Sequence, residues 1–211
     1  MQQINYIPHA EIDKQKWNRC IEEAANGLIY AYAWYLDAMC DEWDALVLND
    51  YEAVMPLPRN SKYGVHYLYQ PYFCASLGVF AKTSPPLTMV EAFLKKIPKR
   101  YKYIDIYLNH QNLFSIADFP MTERVNYVLA LNRPYEEIAN DYRTNLKRNI
   151  KKAEQSGLIV KEKIALTEIL ALAGETMQRV SAISDEQLNR FRNVYESAKK
   201  YKQAELIGIY S

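Results

Sequence analysis

Hydrophobic residues return along this chain at two periods, about 3.6 in some stretches and 2 in others, and the two alternate. From Ile12 to Ala25, Trp17, Ile21 and Ala24 or Ala25 recur at i, i+4 and i+7 or i+8, which predicts a first helix ended by Asn26-Gly27. The string GLIYAYAWYLDAMCDEWDALVL follows. Trp34, Leu36, Ala38, Met39 and Trp43 make it apolar on most sides, and it predicts a second, buried helix. Ala45–Leu48 and Glu52–Leu57 predict two strands of a hairpin turning at Asn49-Asp50-Tyr51. Pro56 and Pro58 are expected to end the second strand or hold it at an edge, because proline donates no ladder hydrogen bond.

RNSKYG is a polar loop, and Val65–Tyr69 alternates again. Val65, Tyr67 and Tyr69 share one face there, with His66, Leu68 and Gln70 on the other. PYFCASLGVF reads as a buried connection or strand. Pro85-Pro86 opens a helix over Leu87–Lys96, which Pro98 closes. Lys102–Leu108 predicts a strand with Ile104, Ile106 and Leu108 on one face and Tyr101, Tyr103, Asp105 and Tyr107 on the other. Glu123–Leu131 predicts another, with Val125, Tyr127, Leu129 and Leu131 aligned.

Pro134 opens a helix that leads into YRTNLKRNIKKAEQSG, Tyr142–Gly157. Tyr142, Leu146, Ile150 and Ala153 form a narrow apolar seam. Arg143, Lys147 and Lys151 lie beside it, with Arg148 and Lys152 beyond. Gly157 is placed to cap this helix in the left-handed conformation. A strand over Leu158–Ile164, a helix over Thr167–Val180, a helix over Asp185–Lys200 with Ser184 as N-cap, and a closing strand in AELIGIYS complete the reading. The order predicts an α/β or α+β sandwich with a mixed sheet. A chain that ends one strand into a new unit suggests a piece of a longer protein, with a first half over 1–157 and the start of a second over 158–211.

Composition sharpens the picture in two places. Over 211 residues the formal net charge is only +1, so the five positive charges before Glu154 are a local concentration without acidic i,i+4 partners. Such a face is either solvated surface or an anion site; Arg143, Lys147 and Arg148 are the best phosphate contacts, with Lys151 and Lys152 further along. The 18 tyrosines suit half-wet cleft walls as well as cores. Three single cysteines without CxxC spacing speak against a disulfide framework and fit a reducing, cytoplasmic compartment. No apolar run approaches the ~20 residues of a membrane span. His9, His66 and His110 are isolated, which argues against a metal site.

Trp34 is either core or cleft wall. Tyr67 and Tyr69 either line a cleft or cover a half-buried sheet. Asp105, among tyrosines, is a base in a polar pocket, a carboxylate bonded by their hydroxyls, or simply wet. No serine, cysteine or phosphate-loop motif is present, and no catalytic residue is assigned.

RTNLKRNIKKAEQSGLIV resembles a stretch of the FemABX peptidyltransferases at Arg143, Lys147, Arg148, Ile150, Lys151, Lys152, Ala153, Gly157 and Val160. GLIYAYAWYLDA resembles that family's apolar–Gln–Ser–x–x–Trp element, with Trp34 in the Trp place and Tyr30 in the Gln place. The family is bacterial, and its two halves have the N-acetyltransferase (GNAT-like) fold. The resemblance implies a GNAT-like mixed sheet flanked by helices and transfer of an aminoacyl or acyl group to an amine, as on a peptidoglycan precursor. It implies aminoacyl-tRNA or acetyl-CoA as donor and a nucleotide-sugar acceptor held near Arg143, Lys147, Arg148 and Lys151, with no tightly bound cofactor. It also implies an oxyanion contact from backbone N–H groups of a splayed strand, and a piece inactive by itself. The alternative is a non-catalytic module whose basic helix docks an anionic ligand or RNA.

Overall fold

Strand β2, Glu42–Leu48, carries a core layer on each face. Trp43, Ala45 and Val47 point to one layer and Leu46 and Leu48 to the other, which is why its sequence shows no apolar–polar alternation. The computed structural model describes residues 3–115, 119–180 and 183–210, the side chains of 177–180 excepted. β1 (Ile4–Ile7) pairs antiparallel with β2. β2 pairs antiparallel with β3 (Ala53–Lys62), and β3 with β4 (Val65–Leu68). The short β5 (Phe80–Ala81) pairs with the start of β3. β6 (Tyr101–Ile104) pairs with β4 in parallel, so the sheet is mixed, in the order β1-β2-β3-β4-β6.

Helices cover both faces. α1 (Lys14–Glu23) and α2 (Ala33–Met39) bury Trp17, Ile21 and Leu36 against Trp43, Val47, Val54 and Phe80. Asp13 starts α1 by accepting the amides of Gln15 and Lys16, each at 3.1 Å. On the other face α3 (Leu87–Lys96) lays Val90, Phe93 and Leu94 on Leu46, Met55, Leu57 and Leu68. Trp17 is fully buried and donates its indole N–H to the Ala31 carbonyl at 2.7 Å. Exchanging it for alanine would cost about 3–5 kcal/mol from lost burial and the cavity left behind.

Several expectations are corrected. Trp43 belongs to β2, not to a second helix, because Trp43, Ala45 and Val47 keep strand parity. Pro56 and Pro58 do not end β3, which runs on to Lys62. The Pro58 carbonyl accepts from Tyr69 N–H, so both prolines turn their nitrogen side away from β2, into the gap between β5 and β4. β3 and β4 meet at Tyr63-Gly64, both with positive φ, as a two-residue hairpin requires. Residues 123–131 hold no place in a sheet among the described residues, and Val125, Tyr127 and Leu131 are 81, 92 and 76% exposed.

The remainder follows the pattern closely. α4 (Tyr135–Asn140) starts after Pro134, and α5 spans Thr144–Gln155, two residues later than Tyr142. Gly157 stands at φ +70°, in the left-handed cap region. β7 (Ile159–Glu162) and β8 (Ile207–Tyr210) pair antiparallel as a separate two-stranded sheet. α6 (Leu166–Val180) and α7 (Asp185–Lys200) lie between them in sequence. α7 joins this part to the first: Val194 packs with Tyr35 and Met39, and Phe191 lies 4.8 Å from Phe73. Arg190 reaches the Met39 carbonyl and the Asp41 carboxylate.

Candidate anion-binding cleft

α4 and α5 enclose a shallow cavity of about 400 Å³ lined by Tyr135, Ala139, Tyr142, Lys147, Ile150, Lys151 and Glu154. Its construction follows from helical spacing. Lys147 and Lys151 are one turn apart on α5, and Ile150 lies on the neighbouring seam toward α4. Tyr142 sits in the turn between the helices, and Tyr135 and Ala139 face in from α4. The result is a lining of aromatic and aliphatic surface with two lysines and one acid, Glu154.

Lys147 Nζ donates to the Asn140 carbonyl at 2.9 Å, which fixes the lysine at the C-terminal end of α4, where the helix dipole favours a cation. Arg148 bonds Asn145 Oδ1 at 2.8 Å and lies outside the cleft lining. Arg143 is the N-cap residue of α5, and its side chain makes no cap bond. Lys152 is exposed on the far side of the helix. Among the described residues no carboxylate comes within ion-pair distance of these five cations. No residue of α5 is buried, so its charges stand in water, where a multiply charged anion gains from several at once.

The other sequence-selected residues lie elsewhere. Trp34 on α2 is half-buried and stacked between Tyr32 and Tyr201, at 6.0 and 5.5 Å. It forms part of the seam that holds the end of α7. Tyr67 and Tyr69 lie edge to face, 6.1 Å apart, at the end of β4. Tyr69 is half-buried, its hydroxyl accepts the Asp41 amide at 3.2 Å, and burial pushes its phenol well above the usual range. None of the three reaches the α4–α5 cleft. Of the three alternatives for Asp105, the structure shows the wet one. Its side chain is exposed, and Tyr101 turns its hydroxyl instead to Asp44 at 3.2 Å.

Two carboxylates that the sequence reading passed over are tightly held. Asp44, 1% exposed, accepts from His9 N–H at 2.9 Å and from Tyr6 and Tyr101, and meets Arg59 and Arg100. Burial and this carboxylate push the Tyr6 phenol well up. With so many donors Asp44 has no free lone pair for a substrate proton; it ties β1, β2, β3 and Arg100 together. Asp37 accepts from Lys14, His9 and the Trp43 indole at 2.8, 2.8 and 3.0 Å. Burial alone would raise its carboxyl, but these three donors outweigh that and hold it below the ordinary 3.8. The thiols are inert by the same desolvation: Cys20 is pushed up to about 11 and Cys74 to about 12.

Among the described residues no three His, Cys, Asp or Glu side chains gather to hold a metal, and no helix is long and apolar enough to cross a membrane. No protein-family model, curated protein or solved structure matches the chain.

Proposed function

We propose that this chain is the acceptor-binding part of an acyltransferase of the GNAT-like, FemABX type, and that the α4–α5 cleft holds the phosphates of a nucleotide-linked amine acceptor. The observation that carries the reading is the cleft itself. Tyr135, Tyr142 and Ile150 offer an apolar surface suited to a base or sugar, and Lys147 and Lys151 share its lining with one acid, Glu154, to which neither is ion-paired. The segment that resembles the peptidyltransferases runs through α5 into β7. A second support lies in the main sheet. β4 and β6 run parallel and slip register between His66 and Tyr67, where a splayed strand is called for if its backbone N–H groups are to meet a developing oxyanion. Acyl transfer then needs the amine to attack the acyl carbon while the donor's leaving group departs and a base takes the amine proton. No side chain is assigned as that base.

Calorimetry with a UDP-linked peptidoglycan precursor, and separately with acetyl-CoA, tests this. Precursor binding that weakens about tenfold in Lys151→Ala, as loss of one charge-assisted phosphate contact predicts, supports the reading. Binding of acetyl-CoA alone moves the function to a general acyltransferase. Binding that is indifferent to Lys147 and Lys151 removes the cleft from the account.

A second reading rests on the cations outside the cleft. Arg143, Arg148 and Lys152 extend the positive surface around α5, as a track for a polyanion such as RNA would need. Single-stranded RNA binding with a steep salt dependence that drops in Arg148→Ala, together with no acyl transfer, would favour that module.

A further inference from the structure

β6 is the last strand on its side of the sheet. The chain beyond it stays extended, and its backbone can be accounted for group by group. Asp105 N–H bonds Leu68 O, Tyr107 O accepts from Leu77 N–H, and Asn109 N–H bonds Leu77 O. The odd-numbered residues therefore turn inward to the sheet. By the alternation of a strand, Ile104, Ile106 and Leu108 turn their N–H and C=O groups outward. Among the described residues no backbone partner meets Ile106 or Leu108 N–H, although both residues are half-buried. Unpaired amides along a half-buried apolar edge invite another strand.

The chain holds a matching segment. Residues 123–131 alternate as a strand in sequence, pair with no strand among the described residues, and expose Val125, Tyr127, Leu129 and Leu131. They also touch the β6 side at one point: the Arg124 guanidinium lies 4.6 Å over the Tyr107 ring.

We propose that residues 123–131 close onto the free edge of β6 as a further antiparallel strand, and so draw the α4–α5 cleft, which follows in the chain, up to the main sheet. The Arg124–Tyr107 contact puts these two residues on one face, and the register with the two directly opposite is the one proposed. With Arg124 beside Tyr107, Val125 comes beside Ile106, Asn126 beside Asp105 and Tyr127 beside Ile104. Val125, Tyr127, Leu129 and Leu131 then fall on the face that Ile104, Ile106 and Leu108 already share with the α3 core. A slip of one residue would put all four on the outer face with Tyr103 and Asp105. The contact and the hydrophobic pattern are independent, and they agree on parity. Closure satisfies the edge amides and covers four bare side chains. It also places the anion cleft beside the irregular β4–β6 pair, whichever ligand the cleft takes.

Paired cysteines test the strand directly. Asp105 and Asn126 are both exposed, and the native cysteines are all buried. The double variant Asp105→Cys/Asn126→Cys should form an intramolecular disulfide on treatment with diamide. The pair Asp105→Cys/Val125→Cys, on opposite faces, should not. In the unsubstituted chain, amide exchange at Ile104, Ile106 and Leu108 should be slowed about 100-fold or more relative to an open edge, and Tyr127→Lys should restore fast exchange there. Fast exchange across 123–131 with no cross-link would overturn the proposal. So would a cross-link found only between two chains, which would make the edge a site for a second copy.

Discussion

Gly78 sits at φ +114°, and a methyl group there would meet the Asn112 side-chain oxygen at 2.1 Å. That oxygen accepts Val79 N–H at 2.6 Å, within a buried cluster where Asn26, Asn109 and Asn112 serve the backbone of residues 77–81. Gly78→Ala should therefore cost about 2–3 kcal/mol, by backbone strain and by displacing Asn112, and urea unfolding will measure it. The asparagines were invisible in the sequence, since nothing in their spacing says that three distant side chains meet. Asp37 gives a second prediction. Its folded carboxyl lies below 3.8, so its donors contribute stability that is present above that value and lost as pH falls through the lower folded value. Asp37→Asn should lower stability near neutrality and flatten the acid limb of the profile below about pH 4, seen by thermal melts across pH. A third concerns thiols. With Cys20 near 11, native protein at pH 8 should resist iodoacetamide until it is unfolded.

At the scale of elements, legibility followed exposure. α3, α5 and α7 each keep one wet face, and their 3.6-residue pattern marked them to within a residue or two. Ser184 was legible for the same reason, because capping chemistry is local. Its hydroxyl accepts Gln187 N–H while the Gln187 side chain accepts Ser184 N–H. Ser184→Ala should cost about 1 kcal/mol and fray the start of α7, measurable as lost helical ellipticity and a lower melting temperature. β2 was harder to read because both its faces are buried, so Trp43 looked like one more residue of an apolar helix. Pro56 and Pro58 suggest a strand end or an edge, yet β3 runs on to Lys62. In the fold they border a local gap on one side of a strand fully paired on the other. Within the cleft, the cationic stripe was plain. Its aromatic lining was not, because Tyr135 and Ala139 come from a different helix, and only the turn at Tyr142 brings that helix alongside α5.

At the scale of the molecule, a two-layered core on one sheet carries a second, more open part through α7. The joint is built from Phe191 on Phe73, Tyr201 on Trp34, and Arg190 on Met39 O and Asp41. Trp17 and Trp43 are buried, so Trp34 reports on this joint. Arg190→Ala should raise acrylamide quenching of tryptophan emission, and Trp34→Phe should abolish the difference. We propose the α4–α5 cleft, rather than the protein surface at large, as the anion site. Titration with UDP of the unsubstituted chain and of Lys147→Ala/Lys151→Ala, at about 50 and about 200 mM salt, tests it most directly. Binding should be saturable at low salt, weaken at high salt and be lost in the double variant, with the melting temperature of the fold unchanged. Equal binding by the two proteins would contradict it.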